Sequence, residues 1–120
     1  MERLDERTYK FALRIVKLVA ALPHTTAGEV LGRQVLRSGT SIGANVEEAH
    51  AASTKRDFTY KMQTALKEAR ETHYWLRLIR DAGLISAKRM ESLIQEALEV
   101  KLILGQVVIT SKKTKDKSAK

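Results

Sequence analysis

The stretch TKRDFTYKMQTALKEARETHYWLRLIRDAGL, residues 54–84, decides the fold. Within it Phe58, Met62, Ala65, Ala69, Thr72, Leu76 and Ile79 recur at alternating steps of four and three. That spacing keeps one stripe of a helix buried over many turns. Thr54 stands just ahead of the stripe and Asp57 three residues later. The threonine hydroxyl is placed to accept from a first-turn N–H, and the aspartate favours the positive end of the helix dipole. Ala82-Gly83-Leu84 ends the helix, with Gly83 suited to the left-handed conformation and Leu84 to the apolar contact that accompanies it. Beside the stripe runs a second row, Thr64, Glu68, Glu71, Trp75 and Leu78, carboxylate in its first half and apolar in its second.

The same reading extends in both directions. From Asp5 to Leu22 two apolar rows lie side by side, Tyr9/Ala12/Val16/Val19 and Phe11/Ile15/Leu18/Leu22, and Pro23 ends the helix. Thr26 reads as the cap of a second helix, with Glu29 reaching back in a capping box, and the helix continues to about His50 or Ala52. Ser86 caps a fourth helix, whose buried row is Met90, Leu93, Ala97, Val100, Leu104 and Val107, widened by Ile94 and Val108. Rows two residues wide exceed the needs of a two-stranded coiled coil, and short connections force neighbours antiparallel. The expected fold is therefore all-α: an antiparallel up-down-up-down four-helix bundle over residues 1–110, with residues 111–120 a disordered, lysine-rich tail.

Composition agrees. A chain of 120 residues, 43% hydrophobic, with one proline and six glycines, has one core and little turn chemistry for a multi-strand fold. It has no cysteine, which excludes disulfides, thiolate nucleophiles and thiolate-ligated metals. The charged N-terminus lacks the apolar stretch of a secretory signal, and no apolar run is long enough to span a bilayer, so a cytoplasmic protein is expected. His24, His50 and His73 have no metal-ligand spacing, and no Glu-x-x-His pair of the di-iron kind occurs. Ser38 and Ser41 lack a neighbouring base, and no phosphate-cradling glycine loop is present. Neither an enzyme nor a metal or cofactor site is expected.

The middle of the second helix is unusual. Gly39 and Gly43 each cost about 1 kcal/mol against alanine inside a helix, and Ser38, Thr40 and Ser41 compete for backbone hydrogen bonds. Small side chains there serve either tight packing within the chain or a subunit interface or ligand groove. Arg37, Gly39, Ser41, Gly43, Asn45 and Glu48, with Glu68 and Glu71 across an antiparallel seam, form a structural polar cluster in which Arg37 meets Glu68 or Glu71 and fixes register.

The net charge is +8, of which +4 lies in residues 111–120. Arg3, Arg7, Lys10, Arg14 and Lys17 follow 4-3-4-3 spacing on the first helix, and Lys67, Arg70, Tyr74 and Arg77 form a similar row on the third. Arginine suits phosphate, and an exposed tyrosine suits an unpaired base. These rows, with Lys112, Lys113 and Lys115 of the tail, are the candidate nucleic-acid-binding residues. Reversing charge at Arg7, Arg14 and Lys17 is expected to weaken RNA binding without lowering the melting temperature. No sequence-reading motif is present, so contacts should be mainly to phosphates.

The segment Arg37 to His50, with Lys55-Arg56-Asp57-Phe58 and the run Ala65 to Thr72, resembles a bacterial four-helix-bundle family. That family includes proteins encoded in intervening sequences of 23S rRNA genes and is often labelled ribosomal-protein-like. The resemblance covers about residues 5–110; Gly43 stands where the family commonly has proline, and Ala49 where it commonly has glycine. It implies assembly into a homopentamer. A related branch, the accessory proteins of diversity-generating retroelements, implies a reverse transcriptase and nucleic acid as partners. The expected function is a non-enzymatic, oligomeric RNA-binding bundle, associated with rRNA or accessory to a reverse transcriptase. The alternative is a protein–protein adaptor or scaffold whose basic faces only aid solubility.

Overall fold

The computed structural model describes residues 2–118, and side chains as far as Lys113. Four helices follow one another, α1 (Leu4–Ala20), α2 (Thr26–His50), α3 (Lys55–Asp81) and α4 (Ala87–Ser118), with no strand among the described residues. They form an elongated body of 54 × 22 × 21 Å. Packing is closest between α2 and α3, then α3 and α4, then α1 and α2, while α1 and α4 share the thinnest seam.

Every neighbouring pair is antiparallel. Gly39 and Gly43 of α2 meet Ile15 and Thr8 of α1, in reverse order. On α3, Phe58 stacks near His50, while Glu68 and Glu71 face Arg37. Thr59 hydrogen-bonds Ser111 at one end of the α3–α4 seam, and His73 faces Lys101 further along. The up-down-up-down bundle is thus the observed fold.

The regular stripe of α3 is the centre of the core. Met62, Ala65, Ala69, Leu76 and Ile79 are buried, as are Phe11 and Ile15 of α1, Val35, Ile42 and Val46 of α2, and Met90, Val100 and Leu104 of α4. Thr54 Oγ1 accepts from the Asp57 N–H at 3.1 Å, as its position predicts. At the other end Gly83 has φ 73°, Leu84 N–H reaches the Ile79 carbonyl and Gly83 N–H the Arg80 carbonyl. This pair of bonds is the Schellman termination.

Three expectations change. The cap of α2 is Thr25, one residue earlier than read, with Gly28 N–H donating to its Oγ1 at 3.1 Å. The Pro23 carbonyl lies so close to Gly28 that a Cβ there would sit 2.1 Å from it, and this approach sets where the first turn begins. On α1 only the Phe11/Ile15/Leu22 row is buried; Tyr9 is 62% and Val16 46% exposed. A helix touching mainly one neighbour buries one stripe fully; of the second row Ala12 and Val19 are partly buried, while Tyr9 and Val16 face outward. Finally, no break marks residue 110: the α4 backbone stays helical to Ser118, through a segment without Gly or Pro.

Candidate nucleic-acid interface

The two cationic rows have different fates. On α1, Arg7 and Arg14 turn toward α4. Arg14 Nη1 is 2.5 Å from Glu96 Oε1, and its Nη2 donates to Ser92 Oγ at 2.6 Å. Arg7 Nη2 is 2.5 Å from Glu99 Oε1, and its Nε 3.9 Å from Glu96 Oε2. Arg3 pairs with Asp5 at 3.0 Å and Lys10 with Glu2 at 2.7 Å. The row expected as an open phosphate-binding face is therefore mostly neutralised, with Arg7 and Arg14 bridging the thin α1–α4 seam. Only Lys17 of the five has no carboxylate partner among the described residues. The missed signal is Ser92, Glu96 and Glu99, spaced 4-3 on α4 and matching Arg14 and Arg7 once the helices are set antiparallel.

The α3 row keeps its charge. Lys67, Arg70 and Arg77 are exposed and have no carboxylate partner among the described residues. Tyr74, 51% exposed, lies between them; the Arg77 guanidinium carbon is 6.0 Å from its ring centroid, and Trp75 meets the ring edge-on at 5.0 Å. The ring is thus held from two sides with one part open to solvent.

Two groups that the sequence reading did not place on this face join it. Lys101 of α4 places its Nζ 3.5 Å from His73 Nδ1. Partial burial pushes the His73 pKa below its ordinary value, and Lys101, Arg77 and Arg80 push it further in the same direction. A neutral imidazole held among three cations marks concentrated positive potential. Arg80 itself is paired with Asp81 at 2.8 Å.

The polar cluster of α2 is structural. Arg37 donates to both Glu68 oxygens at 3.2 Å and to Glu71 Oε1 at 2.6 Å, bridging the α2–α3 seam as expected. Ser41 donates to the Arg37 carbonyl at 2.7 Å and the Asn45 amide to the Ser41 carbonyl at 2.8 Å, so both serve their own helix. Gly39 and Gly43 let α1 approach: a Cβ at Gly39 would lie 2.9 Å from Ile15, and one at Gly43 3.4 Å from the Thr8 backbone. Glu48 is exposed and joins none of these contacts. Lys112 and Lys113 are exposed on the extension of α4, and the Lys115 side chain lies outside the described residues.

At the end of the bundle where α4 outruns α1, Phe58, Ile103 and Val107 line an open apolar groove of about 540 Å³, with Lys55 at its edge. Leu102 is 62% and Ile109 50% exposed on the same helix. No helix is long and apolar enough to cross a membrane, and no cluster of metal-ligating side chains occurs, both among the described residues.

Comparison with known proteins gives the relationship. No protein among the curated ones matches the chain. A crystal structure of a protein with unknown function from the S23 ribosomal protein family of Bacteroides thetaiotaomicron superposes with a TM-score of 0.82 at 39% identity. The match covers 88% of this chain and 98% of that one. The family model described as 23S rRNA-intervening sequence protein matches residues 4–106, nearly the whole four-helix body just described, and the chain belongs to that family.

Proposed function

We propose that this protein is a non-enzymatic RNA-binding homo-oligomer of the cytoplasm that takes the phosphate backbone on the outer face of α3. The observation that carries the reading is the row Lys67, Arg70 and Arg77, without a carboxylate partner among the described residues, around the exposed Tyr74 ring and reinforced by Lys101. Free arginines bind phosphate in bidentate fashion, and a held aromatic stacks on a base without sequence preference. The family's name favours ribosomal RNA as the target over a role beside a reverse transcriptase. The test is a salt-titrated RNA-binding measurement on the full chain. Arg70→Glu with Arg77→Glu weakens binding by about tenfold or more and flattens the salt dependence by about two counterions. Unchanged affinity would remove the α3 face from the reading.

A scaffold role is favoured by a separate observation, the apolar groove at Phe58, Ile103 and Val107. Its surroundings are basic, with Lys55, Lys112 and Lys113 exposed. A second copy presenting the outward Tyr9, Leu13 and Val16 of α1, with Glu47 alongside, complements it in both apolarity and charge. One patch meeting a different patch repeats around a ring, and the pentamer implied by the family resemblance is one such closure. Self-association and RNA binding then reinforce each other, because each ring multiplies the α3 face. Light scattering on the wild type and on Val107→Asp tests this: a monomeric wild type, or a variant that assembles like it, counts against the groove.

A further inference from the structure

At the opposite end of the bundle, α1 finishes as α4 begins, and a cleft of about 210 Å³ opens between them. Its floor is aliphatic: Leu18 is partly buried, and Ile85 and Leu93 are almost fully so. Its rim is cationic: Arg14, Lys17 and Arg89. Arg14 is already held by Glu96 and Ser92, while Lys17 and Arg89 are exposed and have no carboxylate partner among the described residues. Lys88 and Arg89 also occupy the first turn of α4, which contains no acidic residue. Cations are disfavoured there by the helix dipole, so Arg89 across the cleft from Lys17 concentrates positive charge, and neither has a carboxylate partner among the described residues.

The floor narrows the ligand class. A bare inorganic anion has no use for three aliphatic side chains, whereas a purine or pyrimidine face does. The volume is that of a base with part of its sugar.

We propose that this cleft receives one unpaired nucleoside phosphate, its base laid on Leu18, Ile85 and Leu93 and its phosphate between Lys17 and Arg89. The inference deepens the RNA reading above and rests on it for the source of the nucleotide, an unpaired position in an RNA chain; a free mononucleotide has the same chemistry. The cation row of α3 takes phosphates of either strandedness and Tyr74 beside it already favours an unpaired base, so the cleft adds a second, separate preference for unpaired RNA.

The experiment uses the full chain with three probes: AMP, a single-stranded oligoribonucleotide of about ten nucleotides, and a blunt RNA duplex of similar charge. Lys17→Glu with Arg89→Glu, both exposed on the cleft rim, should weaken the single strand about tenfold more than the duplex, the scale of losing one stacked base, the duplex losing only the general attraction of two cations. Arg70→Glu with Arg77→Glu should weaken both. Methyl resonances of Leu18, Ile85 and Leu93 should shift with the single strand and not with the duplex; a shift with AMP alone identifies the free nucleotide as a sufficient ligand. Equal weakening of single strand and duplex by the cleft variant, or motionless methyls, overturns the cleft and leaves the α3 reading intact. If the α3 variant binds normally while the cleft variant does not, the α3 reading fails and the cleft stands.

Discussion

Thr72 Oγ1 of α3 lies 2.9 Å from Ser38 Oγ of α2, and both hydroxyls are wholly buried. The Thr72 proton has two acceptors within reach, Ser38 and the Glu68 carbonyl oxygen at 2.8 Å. A position that periodicity assigns to the apolar seam therefore carries a polar contact between helices. Thr72→Val should destabilise by about 1 kcal/mol, since the Ser38 oxygen loses its donor and the hydroxyl keeps only its long 3.5 Å bond to the Val35 carbonyl. Adding Ser38→Ala should cost less than a second penalty of that size, because both polar groups are then gone. Urea denaturation of the two single variants and the double variant measures the coupling; strict additivity would show that the hydroxyls act separately.

Gly39 and Gly105 are both helical and should respond oppositely to alanine. At Gly39 a Cβ meets the Ile15 side chain at 2.9 Å, and Ile15 is fully buried and β-branched, with little freedom to yield. The overlap should outweigh the gain of about 1 kcal/mol in helix propensity, and Gly39→Ala should destabilise by about 1–3 kcal/mol. Gly105 has nothing within 4 Å of the added carbon, so Gly105→Ala should stabilise by up to about 1 kcal/mol. Thermal unfolding of the two proteins checks both signs.

These sites show what the residues disclosed. The α3 stripe, its Thr54 cap and its Gly83 stop were legible because each is a local pattern within one helix. The Arg37 bridge to Glu68 and Glu71 was legible because α2 and α3 follow each other through a short turn, which fixes their direction. The carboxylate partners of the α1 row were not legible because they are 82 and 92 residues away on α4, and a single-helix pattern does not say which face meets a distant helix. His73 with Lys101 escaped for the same reason: neither belongs to a row on its own helix, and only the α3–α4 register brings them together.

Glu96 should prove a fastener of α1. It is 18% exposed and lies within reach of Arg14 at 2.5 Å and Arg7 at 3.9 Å, across the seam with the least packing. Glu96→Gln should lower the melting temperature and speed amide exchange in α1 ahead of α2 and α3. The Arg14–Glu96 coupling in a double-mutant cycle should be about 1 kcal/mol or less, as for partly exposed pairs. Reversing Arg7 or Arg14 should therefore also reduce stability, contrary to the expectation from sequence that it would leave the melting temperature alone. Uniform exchange across the helices would rule out a local fastening.

His73 should make stability and RNA affinity respond to acid in opposite directions. Its folded pKa lies below the ordinary value of 6.5, through burial first and then Lys101, Arg77 and Arg80. The unfolded chain regains the ordinary value, so below about pH 6.5 it binds more protons at this site than the folded protein. The contribution of the neutral imidazole is thus fully present above that pH and is lost as pH falls toward and through the folded value. Wild-type melting temperature should drop between pH 7 and pH 5 by more than that of His73→Gln. Phosphate seated against Arg70 and Arg77 reverses the local field, raises the imidazole pKa and makes binding take up a proton. RNA affinity should then rise over the pH range in which stability falls, and this rise should vanish in His73→Gln. An NMR titration of the His73 ring, with and without RNA, reads the shift directly. A pKa that RNA leaves in place would separate His73 from the phosphate path and confine its role to the α3–α4 seam.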